Sequence, residues 1–371
     1  MKCLIIMPIA TLRGGAERML LHLLQEAPNG VEWEVCFLED GHMVSDAAGL
    51  GTKVWVLPAG RLRQLSRYFL TVMRLAAHLR RAHYDCVIGW MGKAHIYSGP
   101  AALLTRTPAI WYQLGVPSKA NFWDRNITRI PAKGIIAVSQ KAAAAQSCLP
   151  PKRPIQVVPP STDLCQFDPT QLPSPSEVRS QLGLPQEGPL IEIVGRLQRW
   201  KGMHTLIEAM PAILKAHPEA HALIVGGEHA LEPDYLAYLR QRIEALGLQN
   251  HVILAGFQKN VEQWMQACDV FVHASDNEPF GIVVIEAMAL GKPVVAGSEG
   301  GPREIITEGV DGLLAPYNQP DKLAEAILRY LNNPEFARQV GQAAFKRAQE
   351  FSTQRFAQRF VEAVEALLAE R

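Results

Sequence analysis

The chain has no long apolar run. No uninterrupted apolar stretch approaches the ~18 residues that a membrane-spanning helix needs. The opening Met1-Lys2-Cys3-Leu4-Ile5-Ile6-Met7-Pro8 has too short an apolar core for a signal peptide and reads as a first strand. Cysteine is sparse: 6 in 371 residues, scattered, with no C-x-x-C and no histidine at ligand spacing. That excludes a disulfide framework and a zinc site, and it suits reduced core thiols in a cytosolic protein. There is no G-x-G-x-x-G, which argues against a dinucleotide site, although Glu39 or Asp40 could stand in for its ribose-binding acid. There is no D-x-D carboxylate pair to hold a metal, so no metal and no cofactor is expected. Acid is almost missing from one region: between Ala47 and Trp123 the only acidic residue is Asp85.

An apolar content of 48% supports real cores, and the length fits two domains. The net charge of +1 conceals an asymmetry: residues 1–150 carry +8 and residues 151–371 carry −7. Such a split suggests that the first half meets something anionic. Short β-rich runs alternate with helical patterns throughout. Examples are Cys3–Pro8, Trp33–Leu38 and Cys86–Trp90 in the first half, and Leu190–Val194, Val270–His273 and Pro293–Ala296 in the second. This alternation predicts parallel sheets with helices on both faces. Ten prolines between Pro150 and Pro189 mark the linker, with the boundary near 170–188. The expected division is 1–172, joined by a final helix over 352–371, and 173–351. Two such α/β halves imply a ligand cleft between them.

The most informative segment is Asn277-Glu278-Pro279-Phe280-Gly281-Ile282-Val283-Val284-Ile285-Glu286. A strand runs into it and an amphipathic helix leaves it, so Glu278 lies in a loop and Glu286 inside the helix. A fully helical spacer would separate the two carboxylates by roughly 12 Å, about the span from hexose to ribose in a nucleotide-sugar. The helix start between them offers free N–H groups and a positive dipole end, suited to a diphosphate. A second segment, Val194-Gly195-Arg196-Leu197-Gln198-Arg199-Trp200-Lys201-Gly202, follows a strand and brings Arg196 and Lys201 to the C-terminal edge of a sheet. Two cations there can neutralise a diphosphate as it leaves. The glycine pairs Gly300-Gly301 and Gly14-Gly15 can present bare N–H groups to phosphate or sugar oxygens.

The ordered set G-R-L…K-G, E-P-F-G-x-x-x-x-E, A-M-A-x-G-x-P-V-V and G-G-P-x-E-I, preceded by G-G-A-E, resembles the retaining glycosyltransferases of family 4 with the GT-B fold. The likeness covers most of the chain and is strongest from Gly195 to Pro316. It implies two Rossmann-like domains facing across a cleft, with a C-terminal helix crossing back to the N-domain. It implies that Glu278 binds hydroxyls of the transferred sugar, Glu286 binds the ribose, and Arg196 and Lys201 bind the diphosphate. Phe280, Gly281 and Ile282 match backbone donors at the helix start, and Gly15 matches the N-domain glycine that closes on the phosphates. Gly256, Phe257 and Gln258 fall where the base edge packs. One departure concerns a histidine that many members carry after the fifth N-domain strand. Gln113 stands there in this chain, and His95 at a neighbouring strand–helix junction could compensate or serve a structural role at the head of its helix.

The expected activity is metal-independent transfer of a hexose from a UDP- or GDP-sugar to a lipid-linked or glycan acceptor, with retention. The alternatives are a GT-B nucleotide-sugar epimerase and a non-catalytic sugar-nucleotide-binding subunit. A helix is predicted from Leu62 to Arg81, with Arg63, Arg67, Arg74 and Arg81 on one stripe. Leu62, Leu65, Phe69, Val72, Ala76 and Leu79 fall broadly opposite, toward the domain core. Four cations without an acid at i±4 call for an anionic neighbour, a membrane surface or a phosphorylated lipid-linked acceptor. No aromatic-interleaved basic motif points to nucleic acid. The expected location is the cytoplasm, peripheral to the inner face of the plasma membrane.

Overall fold

The structure, a computed structural model, describes residues 1–12, 14–26 and 30–370; Arg13 of the first glycine motif lies outside the described residues. The chain folds as two compact units, Met1–Ser161 with Thr353–Arg371, and Thr162–Ser352. The first boundary falls before the expected 172. The cause is Phe167, which is buried in the core of the second unit with Leu164 and Leu172 packed beside it.

In the first unit the elements are β1 (Lys2–Met7), α1 (Gly15–Glu26), β2 (Glu32–Phe37), α2 (His42–Gly49), β3 (Lys53–Val56), α3 (Leu65–Ala82), β4 (Cys86–Trp90), α4 (Met91–Thr105), β5 (Ala109–Gln113), α5 (Phe122–Arg129), β6 (Gly134–Ala137), α6 (Gln140–Ser147) and β7 (Ile155–Val157). All strand pairs are parallel, in the order β3-β2-β1-β4-β5-β6-β7. Residues Cys3 to Met7 are all buried, as a central strand covered on both faces requires.

In the second unit the elements are α7 (Pro175–Leu182), β8 (Leu190–Val194), α8 (Met203–Ala216), β9 (His221–Val225), α9 (Tyr235–Ala245), β10 (Val252–Gly256), α10 (Val261–Ala267), β11 (Val270–His273), α11 (Ile282–Ala289), β12 (Val294–Gly297), α12 (Pro302–Ile305), β13 (Leu313–Ala315), α13 (Pro320–Leu331) and α14 (Pro334–Ala348). Its sheet, also parallel, has the order β10-β9-β8-β11-β12-β13. The last helix, α15 (Thr353–Ala369), belongs to the first unit. There Phe360 packs on Trp33, Trp90 and Tyr112, and Leu367 fills the space left by Gly134.

The basic helix differs from its sequence reading. It begins at Leu65, so Arg63 lies in the turn before it. Its buried face is Thr71, Val72, Leu75, Ala76 and Leu79, a helical spacing that leaves Leu65 and Phe69 exposed instead of turned to the core. Arg63, Arg67, Arg74 and Arg81 are exposed, and none has an acidic partner among the described residues.

Two carboxylates sit inside strands with opposite outcomes. Glu34 on β2 is ion-paired to Lys53 at 2.8 Å and bonded to His78 at 3.1 Å. Glu192 on β8 is fully buried beside Leu223 and Phe271, and among the described residues only the weakly donating Cys268 thiol faces its carboxyl oxygens. Burial raises its carboxyl from 4.5 to about 8, with the Cys268 thiol and the charge of Lys292 only partly offsetting it. The folded chain therefore holds this proton where the unfolded chain releases it, so stability falls as pH rises from 4.5 to about 8. By pH 7 the cost is ~3 kcal/mol. Glu192→Gln is expected to remove most of this slope, which urea unfolding at the two ends of the window will measure. Equal pH dependence in variant and wild type would show Glu192 ionised in the fold.

Candidate functional site

In the second unit the chain leaves β8 toward β9 and β10 on one side, then returns to lay β11 on the other side of β8. The β8/β11 border is the place where ligands bind in open parallel sheets, because successive crossovers there diverge and leave a crevice at the strand ends. Both key sequence segments open at this border. The backbone N–H of Asp276 donates to the Trp200 carbonyl at 2.7 Å, fastening the two loops together. Gly202, at φ 74°, starts α8, and a Cβ there would lie 2.1 Å from the Ala274 carbonyl oxygen. A side chain at this position would force the loops apart.

The fastened loops bring Lys201 to Glu278, 77 residues away in sequence, with Nζ 2.5 Å from Oε2. The Lys201 ammonium also lies over the Trp200 ring, 4.2 Å from its centroid. His273, at the end of β11, approaches the same Oε2 with Nε2 at 3.3 Å. Burial by itself would raise the Glu278 carboxyl. The Lys201 charge and the His273 hydrogen bond outweigh it and hold the group at about 2. Glu278 is thus an anion at any physiological pH.

The three cations of the β8 loop have separate fates. Arg199 is paired with Glu232 and Asp234 and lies over the rings of Tyr235 and Tyr238, so it anchors the loop. Arg196 is exposed and has no ion pair among the described residues. Lys201 is held by an acid that a ligand can replace. Two cations are therefore available to an anion at this edge.

Two residues after Glu278, the buried ring of Phe280 packs on Phe351 at 5.7 Å between centroids. Gly281 caps α11, which opens with the N–H groups of Ile282 and Val283 free of intrahelical partners. Glu286 lies one turn further along α11 and is buried. Gly256 ends β10, two strands from β8 on the same edge, and Phe257 and Gln258 follow it. The Phe257 ring is 73% exposed, and Gln258 donates to the Ala255 carbonyl at 2.7 Å.

The glycine pair after β12 corrects one expectation. Gly301 N–H donates to the Glu278 carbonyl at 2.8 Å, so it is not open to a phosphate. A Cβ on Gly300 would come within 2.4 Å of Glu278 O, and one on Gly301 within 2.2 Å of Phe280 Cα. The pair exists so that two loops can pack backbone to backbone, which positions Glu278.

The first unit holds the remaining sequence candidates. Gly15 opens α1 after β1. Gln113 ends β5, and its Oε1 accepts from the Gly115 N–H at 3.3 Å. His95 is fully buried in α4, stacked on Trp111 with centroids 5.1 Å apart and planes within 5°. Burial lowers its imidazole to about 3, so it stays neutral and presents no face to a ligand. The expectation that it compensates for the missing histidine fails because the helix turns it inward. Sequence reading passed over His273. Its one signal was a lone imidazole closing an otherwise apolar strand.

Comparison with known proteins gives this geometry a family. The model described as "Glycosyl transferases group 1" matches residues 175–347, and that described as "Glycosyltransferase Family 4" matches residues 13–166. The chain belongs to the family 4 glycosyltransferases of the GT-B fold. Among solved structures, the Anabaena protein HepE matches this glycosyltransferase with a TM-score of 0.84 and 28% identity over 99% of this chain and 100% of that one. A glycosyltransferase from Rickettsia africae shares the fold at a TM-score of 0.88 and 21% identity. Among curated proteins, the D-inositol 3-phosphate glycosyltransferase of Corynebacterium urealyticum is 32% identical over 220 residues, 58% of this chain and 52% of that one. The matched region spans about half the length of such curated relatives.

Proposed function

We propose that this glycosyltransferase moves a hexose-type sugar from a UDP- or GDP-sugar to a lipid-linked or glycan acceptor, with retention and without a metal. The observation that carries this reading is the Lys201–Glu278 pair at the β8/β11 border beside the open start of α11. An anion-binding group and a sugar-binding group are there within one side chain's reach. As the C1–O bond to the β-phosphate breaks, negative charge builds on the diphosphate and positive charge on the anomeric carbon. Arg196, Lys201 and the α11 N–H groups stabilise the diphosphate, supplying the charge that a divalent ion would otherwise bring. The acceptor oxygen bonds to C1 on the face the diphosphate leaves, and its proton passes to a phosphate oxygen. Glu286 takes the ribose hydroxyls, and the exposed Phe257 ring offers a surface for the base. HepE was crystallised with UDP and with UDP-glucose, which favours UDP over GDP as the carrier.

The acceptor is read from the first unit. Leu65, Phe69, Leu70 and Met73 are 67%, 62%, 49% and 58% exposed on α3, among Arg63, Arg67, Arg74 and Arg81. Apolar tips between unpaired cations suit the headgroup zone of an anionic bilayer, at the inner face of the plasma membrane. One experiment tests donor, metal and surface together. Nucleotide release is followed from UDP- and GDP-sugars with EDTA present, over vesicles with and without anionic lipid carrying candidate acceptors. Release in EDTA is expected, with sedimentation on anionic vesicles that falls at least tenfold when the four arginines become glutamine. Dependence on added magnesium would refute metal independence, and unchanged sedimentation would refute the membrane reading. Epimer formation without nucleotide release would replace transfer by isomerisation.

A further inference from the structure

Glu278 Oε2 has two donors, and they differ in mobility. Lys201 reaches it with an ammonium on a four-carbon stem, from a 3-10 turn in the β8 loop. His273 reaches it from the end of β11, 2% exposed and fixed by the sheet. An ionised carboxylate can only accept, so the contact with Glu278 Oε2 is a hydrogen bond when the proton is on Nε2. The Ser275 hydroxyl lies 3.1 Å from the same nitrogen, while Nδ1 is buried without a partner among the described residues. An imidazole buried with Nδ1 unmet costs stability, and the contacts of Nε2 with Glu278 and Ser275 are what offset it. Both donors use Oε2. Oε1 takes no hydrogen bond among the described residues and is the open acceptor.

We propose that His273 is a positioning residue that keeps Glu278 in place when Lys201 turns to the donor's diphosphate. This rests on the donor-site reading above. An arriving diphosphate competes with Glu278 for the Lys201 ammonium, and a flexible lysine can follow the stronger charge. The imidazole cannot follow, because the strand holds it. Glu278 then keeps one hydrogen bond on Oε2 and presents Oε1 to a sugar hydroxyl. The Lys201–Glu278 ion pair thus separates into a phosphate-binding cation and a sugar-binding anion.

The test compares His273→Leu, which removes the N–H, with His273→Gln, whose amide places an N–H at similar reach. UDP affinity is measured by calorimetry, and kcat and KM are measured on a UDP-sugar that wild type turns over. His273→Leu is expected to lower kcat 10- to 100-fold while UDP affinity stays within about twofold, and His273→Gln is expected to recover most of the rate. A wild-type kcat in His273→Leu would overturn the proposal. So would UDP affinity, kcat and thermal stability falling together without recovery in His273→Gln, the pattern of a merely structural histidine. Should His273→Leu not fold, His273→Asn, whose amide falls short of Glu278, gives the same comparison. Failure of the donor-site reading looks different: wild type itself binds no nucleoside diphosphate and releases none from any donor, and the proposal then falls with it.

Discussion

Lys201→Ala is expected to lower kcat by about two to three orders of magnitude, the usual cost of removing one donor from a developing anion. The same change is expected to destabilise the fold. Glu278 is held at about 2 against an ordinary 4.5, so its ionised form contributes stability above 4.5 that is lost as pH falls toward 2. That contribution is ~3 kcal/mol. Without the ammonium, the burial that opposes ionisation acts with only the His273 bond against it, and the carboxyl moves upward. Lys201→Ala should therefore lose stability at neutral pH and begin acid unfolding at a higher pH than wild type. Lys201→Arg keeps the charge and separates the two effects: stability returns, whereas kcat returns only as far as the guanidinium meets the diphosphate. Nucleotide release and thermal unfolding from pH 3 to 8 measure both. A lysine variant with undiminished kcat would remove the anion-capture reading at its root.

Glu286→Ala is expected to raise the donor KM about 100-fold with little change in kcat. The carboxylate sits one turn into α11, buried, at the end of the segment remote from Glu278. Hydrogen bonds to a charged acceptor are worth ~1.5–3 kcal/mol each, and under the proposed assignment two ribose hydroxyls lose theirs together. Loss of binding that is uniform between ground and transition state appears in KM and leaves kcat alone. A 2′-deoxy donor supplies the control. Wild type should discriminate against it, whereas Glu286→Ala should treat ribose and deoxyribose donors nearly alike. If the variant still prefers ribose, the hydroxyls are held elsewhere and the assignment of Glu286 is wrong.

The two variants probe opposite ends of one helix start. Glu278 precedes it and Glu286 follows it, with the free N–H groups of Ile282 and Val283 between. The α11 dipole adds a partial positive charge in the same place. Changing the acids leaves that dipole intact. Residual affinity for inorganic pyrophosphate should therefore survive both Glu278→Gln and Glu286→Ala and fall in Lys201→Ala.

Much of this was legible in the chain. Each strand from Cys3 onward announced itself as a β-rich run, because a sheet covered on both faces needs apolar side chains throughout. The placement of Glu278 in a loop and Glu286 in a helix followed from the strand-like run that enters the segment and the helical run that leaves it. The basic stripe of α3 was also visible, but its apolar positions were not ranked correctly. Leu65 and Phe69 have the hydrophobicity of core residues and the angular position of surface ones. Only packing against the sheet, which uses Val72, Leu75, Ala76 and Leu79, left them outside.

The sequence by itself determined the α/β class, the two-unit organisation and the residue types that can grip a nucleotide-sugar, since these follow from local periodicity and spacing. Tertiary structure decided which partner each group met. It joined Lys201 to Glu278 across 77 residues, tied Arg199 to Glu232 and Asp234, buried His95 against Trp111, and put His273 behind the carboxylate. The reason is that strand order, unlike strand identity, is fixed by contacts between distant segments. β11 returns to lie beside β8, and neither segment taken alone carries that instruction.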